Sequence, residues 1–355
     1  ALIINAGHLT NSATGEIGSK GSLSLTTLGA LNNAGNVIAQ GITADAQLDI
    51  NAGSLSNSGV LGSLGGMQLA VNAGLWNAGS IRMEDSAHTG LLTVNAGSLT
   101  QTATGSIISQ AGLALTAQDI DNAGMLVAQG LETTTFSSSP SAALSSNTHG
   151  LTLQANTLNN SGVIGSQSSL TLNLANFLTN SGQIVTESQN AHGNAGLILT
   201  ANTLTNTATG SIGSKGNYQI NATHMSNAGQ LISENANVVM QLTGSDQVNH
   251  STGTIGTKGS LTLGFGTSIH NQGVILAEGL DQNGASLTLQ TGTLDNSGQI
   301  EGKGSVTLGA TRLTNLSTGS IASESDIIAN TSVLVNQGNF KATGRLGLTT
   351  ANLTQ

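Results

Sequence analysis

Half of the eight basic residues in this 355-residue chain stand at one place in a recurring phrase. Lys20, Lys215, Lys258 and Lys303 each follow a glycine by five residues, in GEIGSKG (15–21), GSIGSKG (210–216), GTIGTKG (253–259) and GQIEGKG (298–304). An ammonium kept at one spot could bind an anionic substrate, dock a receptor or serve the architecture. The acids decide between these. Glu234, Glu278 and Glu324 occupy the same fifth position in the intervening phrases, so the sign alternates from Lys215 to Glu324 without a miss. Stacked about 5 Å apart, opposite charges attract and like charges repel. Lys215, Glu234, Lys258, Glu278, Lys303 and Glu324 therefore read as a structural charge ladder along an exposed corner.

The remaining reactive side chains give no catalytic grouping. Glycoside hydrolysis needs two carboxyls ~5–10 Å apart in a groove. Glu278 and Glu324 meet that separation two repeats apart, but Lys303 between them accounts for both without chemistry. Glu301 stands alone, and Asp119 and Asp121, on either side of Ile120, read as outward strand or turn residues. With no nucleophile–base constellation, the expectation is a protein that is not an enzyme. His88, His149 and His192 fall in three separate interruptions of the repeat. A metal needs convergent ligands and a closed surrounding shell, so these read as solvated turn histidines, with no metal and no small-molecule cofactor expected.

Composition bounds the rest. Charged residues are 7% of the chain, against roughly 25% in an average globular protein. The net charge of −9 with few basic residues argues against nucleic acid, whose phosphates need clustered Lys and Arg. The Gly/Ser/Thr/Asn content resembles a disordered tract, but the apolar 37% is patterned. No stretch approaches the ~20 apolar residues of a membrane span. The absence of cysteine excludes disulfides and thiolate metal sites. No signal peptide stands at the start, and residue 1 falls inside a repeat, so the expectation is a piece of a longer protein.

The elements that position these residues come from self-similarity. One glycine anchors each repeat: Gly15, Gly35, Gly59, Gly79, Gly105, Gly124, Gly162, Gly182, Gly210, Gly229, Gly253, Gly273, Gly298, Gly319 and Gly338. Spacings run from 19 to 28, with one of 38. An apolar residue follows every anchor by two positions, from Ile17 to Phe340. An asparagine usually precedes it, as at Asn33, Asn57 and Asn227, and an alternating stretch such as SLTL (260–263) comes later. Alternation of period two means strands with one buried face. Short strands of three to five residues between Gly/Asn/Ser turns, with no lasting 3.6-residue period, predict an all-β parallel β-helix (solenoid) of about 15–16 coils. A single coil cannot bury its apolar face, but stacked coils can. Glycine is expected to supply turn conformations, and the asparagines to stack and share amide hydrogen bonds. The expected body is one repeat domain over 1–355, a rod of about 70 Å at the strand spacing of roughly 4.8 Å. A β-sandwich or β-propeller is the alternative, but propeller blades need periods of ~40 and aromatic signatures.

Repeat lengths differ mainly just after the charged corner, at 42–47, 85–90, 131–150, 188–196 and 280–285. The inserted loop at 131–150 and the shorter one at 188–196 are the main interruptions. Insertions at one phase of a solenoid emerge on one side, often the binding face. Asp85, His88, Phe136, Pro140, His149 and His192 are thus the candidate receptor-contact residues.

The units LTNSATGEIGSKGSLSLT (9–26), LNNSGVIGSQSSLTL (158–172), LTNTATGSIGSKG (204–216) and LDNSGQIEGKGSVTL (294–308) resemble the haemagglutinin repeats of bacterial two-partner-secreted exoproteins. That group includes filamentous haemagglutinins and contact-dependent growth inhibition effectors, and the resemblance covers essentially the whole chain. It implies a right-handed β-helical filament, exported through an outer-membrane partner transporter and displayed on the bacterial cell surface. The family's Asn-Pro-Asn-type secretion motifs are absent, since the one proline, Pro140, follows serine; so is the toxin-proximal Val-Glu-Asn-Asn motif. The expectation is therefore a secreted stalk that presents a toxin or adhesive region in cell–cell contact. The alternative is a segment that itself binds a target-cell receptor or glycan, and a polysaccharide-cleaving β-helix is the remote one.

Overall fold

The computed structural model describes residues 1–41, 47–85, 90–130, 150–187, 196–279 and 285–354. Every described element is a strand, and every printed pairing is parallel. Each of the fifteen anchor glycines leads straight into a four-residue strand, from Glu16–Ser19 to Asn339–Ala342. About fifteen turns of a β-solenoid result. The chain divides into two compact units, Ala1–Leu174 and Ala175–Gln355.

Inside each unit the apolar positions become columns. In the first, Val37, Leu61, Ile81, Ile107, Leu126 and Ile164 pair coil on coil and are fully buried. In the second, Ile184, Ile212, Leu231, Ile255, Ile275, Ile300 and Ile321 do the same. The two columns of the alternating stretch run beside them: Leu261, Leu287 and Val306 in one, Leu263, Leu289 and Leu308 in the other. Aliphatic side chains spaced by one strand separation bury each other's faces, which one coil alone cannot do. Tyr218 is the one large polar-tipped core residue; its Oη donates to the Ile212 carbonyl at 3.1 Å, and burial pushes its phenol well above the usual range.

Two expectations are corrected. Many strands are much longer than five residues: the alternating stretch runs on into the asparagine segment as single strands of 9 to 12 residues, such as Ser260–Asn271. The backbone ladder continues around a corner, where the register shifts, for example between Ala52 and Leu55 or Phe265 and Ser268. Small residues at that corner let the strand bend without breaking the ladder. Nor do the anchor glycines serve conformation. Among the described glycines only Gly279 has a positive φ. The anchors are glycine because the coil beneath is too close: a Cβ on Gly59 would collide with the Gly35 carbonyl, and one on Gly79 with that of Gly59.

Candidate functional site

The charged corner begins one residue beyond each four-residue strand. In GSIGSKG the buried Ser214 hydroxyl accepts the Gly216 N–H at 3.1 Å. The same serine or threonine bond recurs at Gly65, Ala111, Ser168, Gly259 and Ser325. The hydroxyl turns the chain, in the manner of Ser/Thr side chains that bond their own backbone two residues on. The residue between points outward. Backbone bonds hold the six ladder residues on equivalent rungs: Lys215 N–H donates to Thr186, Glu234 to Ser214, Lys258 to Ser233, Glu278 to Thr257, Lys303 to Ala277 and Glu324 to Gly302, at 2.8–3.1 Å.

The side chains close on one another at one rung. Lys215 Nζ pairs with the Glu187 carboxylate of the coil before. The hydrogen bond to Glu187, with the fields of Glu187 and Glu234, raises the Lys215 pKa against a smaller opposing effect of desolvation. Among the described residues no carboxylate lies within 4.0 Å of the Lys258 or Lys303 ammonium. Glu84, at the same corner position, pairs instead with Arg82 of the strand just before it, Ser80–Met83, at 3.2 Å.

The loop candidates divide. Asp85 is 8% exposed, and its Oδ2 accepts the Gly90 N–H at 2.5 Å. It thus ties the two ends of an insertion together from inside. His88, Phe136, Pro140, His149 and His192 lie outside the described residues. Elsewhere His224 Nδ1 meets Asp246 at 2.6 Å, His270 Nδ1 meets Asp295 at 3.2 Å and His250 Nε2 meets Ser226 at 2.9 Å, each between neighbouring coils. Among the described residues no group of three or more His, Asp or Glu side chains is placed to hold a metal.

A buried amide ladder runs parallel to the corner. In the first unit each side-chain amide donates to the next oxygen, from Asn11 through Asn33, Asn57, Asn77, Gln101 and Asn122 to Asn160, at 2.8–3.1 Å. In the second it runs from Asn180 through Asn206, Asn227, Asn249, Asn271, Asn296 and Asn315 to Asn336, at 2.8–2.9 Å. Asn11, Gln101, Asn206, Asn249 and Asn315 escape a search for asparagine two residues before glycine, because they precede it by four. The two extra residues form a turn closed by a bond such as Gly210 N–H to Thr207 carbonyl at 2.9 Å. The threonine just before the glycine then ties that turn to the coil beneath, as Thr209 does to Ser181 and Thr252 to Ala228. The signal was present in the repeated phrase TATG.

Parallel coils with an internal amide ladder and an outward charged corner define a repeat scaffold, with no catalytic grouping among the described residues. A family model described as the haemagglutinin repeat matches residues 3–82, 88–134, 148–207, 190–239, 241–298 and 284–352. The chain belongs to the haemagglutinin repeat family. Its repeats imply the stalk of a two-partner-secretion exoprotein, with a transporter as partner and a secreted, cell-surface location. No curated protein and no solved structure matches the chain.

Proposed function

We propose that this segment is a stalk that projects a large surface exoprotein from the bacterial cell and brings a distal toxin or adhesive region into contact with target cells. The observation that carries the reading is the spread of one repeat over essentially the whole chain. Within each unit the apolar columns and the amide ladder join turn to turn, which suits length rather than chemistry. The alternating corner from Lys215 to Glu324 is the outward counterpart, a device that favours one stacking register. The non-enzymatic reading has the same support: among the described residues Glu187, Glu234, Glu278 and Glu324 stand on the charged corner, and Glu84, Asp246 and Asp295 each pair with a basic side chain.

A second reading has one observation in its favour. The insertions at 42–47, 85–90, 131–150, 188–196 and 280–285 all leave the repeat at one phase, as binding loops of solenoids do. In that reading the edge captures a target-cell outer-membrane receptor or glycan. Incubating the purified segment with target cells separates the two. If the loops recognise nothing, deleting 132–149 leaves the labelling of the cells unchanged. Saturable labelling that disappears when 132–149 is deleted would establish the loop edge as a recognition surface instead.

A further inference from the structure

The first unit presents an outward row just ahead of its amide ladder. Ser56, Trp76, Thr100, Asp121 and Asn159 succeed one another coil by coil, at the parallel-strand separation of roughly 4.8 Å. Trp76 is the only tryptophan in the chain, and it is 41% exposed. Gly74 stands two residues earlier on the same outward face of the strand Met67–Asn77 and adds no side chain there, with the small Ser98 hydroxyl of the next coil beside it.

Two coils onward, Asp119 and Asp121 project from either side of the buried Ile120. Each carboxylate is held by the next coil. Thr157 Oγ1 donates to Asp119 Oδ1 at 2.6 Å, and Asn159 Nδ2 donates to Asp121 Oδ1 at 2.8 Å. These bonds fix both carboxylates and leave Oδ2 of each open to solvent hydrogen bonds among the described residues.

We infer that Trp76, Asp119 and Asp121 form a binding strip for a neutral oligosaccharide. A half-exposed indole flanked by small polar side chains is a platform for the apolar face of a pyranose ring. An ionised carboxylate is an acceptor only, with lone pairs to spare for sugar hydroxyls, and its hydrogen bonds are the stronger charge-assisted kind. The two negative charges, with no Lys or Arg in the row, turn away uronic acids, sulfated sugars and phosphates. A single exposed aromatic among polar residues lacks the apolar centre of a protein interface. Small ligands need a concave pocket, whereas this face is a row of strands. It suits a chain that lies along the stacking direction and meets one rung after another, adding weak contacts into useful affinity. The site is separate from the inserted loops and independent of the stalk reading.

The single tryptophan makes the test direct. The intact segment is titrated with uncharged hexaoses of glucose, mannose and N-acetylglucosamine, and with an oligogalacturonide as the acidic control, while Trp76 emission is followed. At least one neutral hexaose should shift the emission saturably, and the acidic one should not. Asp119→Ala with Asp121→Ala should weaken that response by roughly tenfold or more, as loss of hydrogen bonds to a charged acceptor implies. Trp76→Ala, followed by calorimetry, should abolish the heat of binding. An unchanged melting temperature in each variant keeps folding out of the comparison. No response to any neutral hexaose at millimolar concentration, or a response equal in the aspartate variant, would overturn the inference.

Discussion

Asn227 is fully buried, yet its Nδ2 finds the Asn249 oxygen at 2.9 Å and the carbonyls of Gly229 and Thr254 at 3.2 and 3.3 Å. Removing such a group strands its partners without water. Asn227→Ala should therefore cost about 1–3 kcal/mol, measured by denaturant unfolding. Asn227→Gln should cost less, because Gln101 already fills a rung in the other unit. Gln247 is the opposite case. It stands in an apolar column between Met225 and Ile269, fully buried, with neither amide atom bonded. Gln247→Leu should raise stability by about 1–3 kcal/mol, and an unchanged midpoint would mean that the amide has found a partner. Asp49 has an oxygen in the same condition, and burial raises its pKa above 3.8. Such a carboxyl binds more protons folded than unfolded, so stability falls as pH rises from 3.8 through the raised value. Asp49→Asn should raise the melting temperature at neutral pH and lose that advantage below pH 3.8.

Each four-residue strand and the corner after it form a single element, and the sequence made most of this element legible. A glycine, an apolar residue two positions on and, in nine of the fifteen repeats, a charge five positions on mark the start of the strand, its buried face and its exit. The reason glycine is needed was hidden, because close approach between coils leaves no mark on one repeat read alone. The long strands were hidden for a related cause: their backbone bonds continue through a corner whose side chains lose the period of two. Five amide rungs were missed because two extra turn residues move the asparagine along the sequence without moving it in space. The outward row around Trp76 had no local pattern, since its members come from five different coils. At the charged corner, Lys258→Glu sets three acids together at Glu234, residue 258 and Glu278. Exposed pairs are worth only about 0.2–1 kcal/mol each, so the melting temperature should fall slightly at low salt and recover as salt screens the contact. Equal melting of parent and variant at low salt would leave the corner without an energetic role.

For the molecule as a whole, repetition makes a strong statement about what can be removed. Deleting 254–298 takes out two complete coils and joins Gly253 to Gln299. Asn249 then meets Asn315, Leu242 meets Leu308, and Glu234 faces Lys303, so the amide ladder, the core column and the alternation of charge all survive. Deleting 254–273 also keeps the backbone register but sets Glu234 against Glu278. The deletion of 254–298, placed in the full exoprotein, is the most direct test of the stalk reading. Surface display and contact-dependent activity should both persist, because a stalk shortened by about 10 Å at the strand spacing still carries its distal region. An exoprotein that is displayed normally but has lost contact activity would contradict the account and make these coils part of the recognition surface.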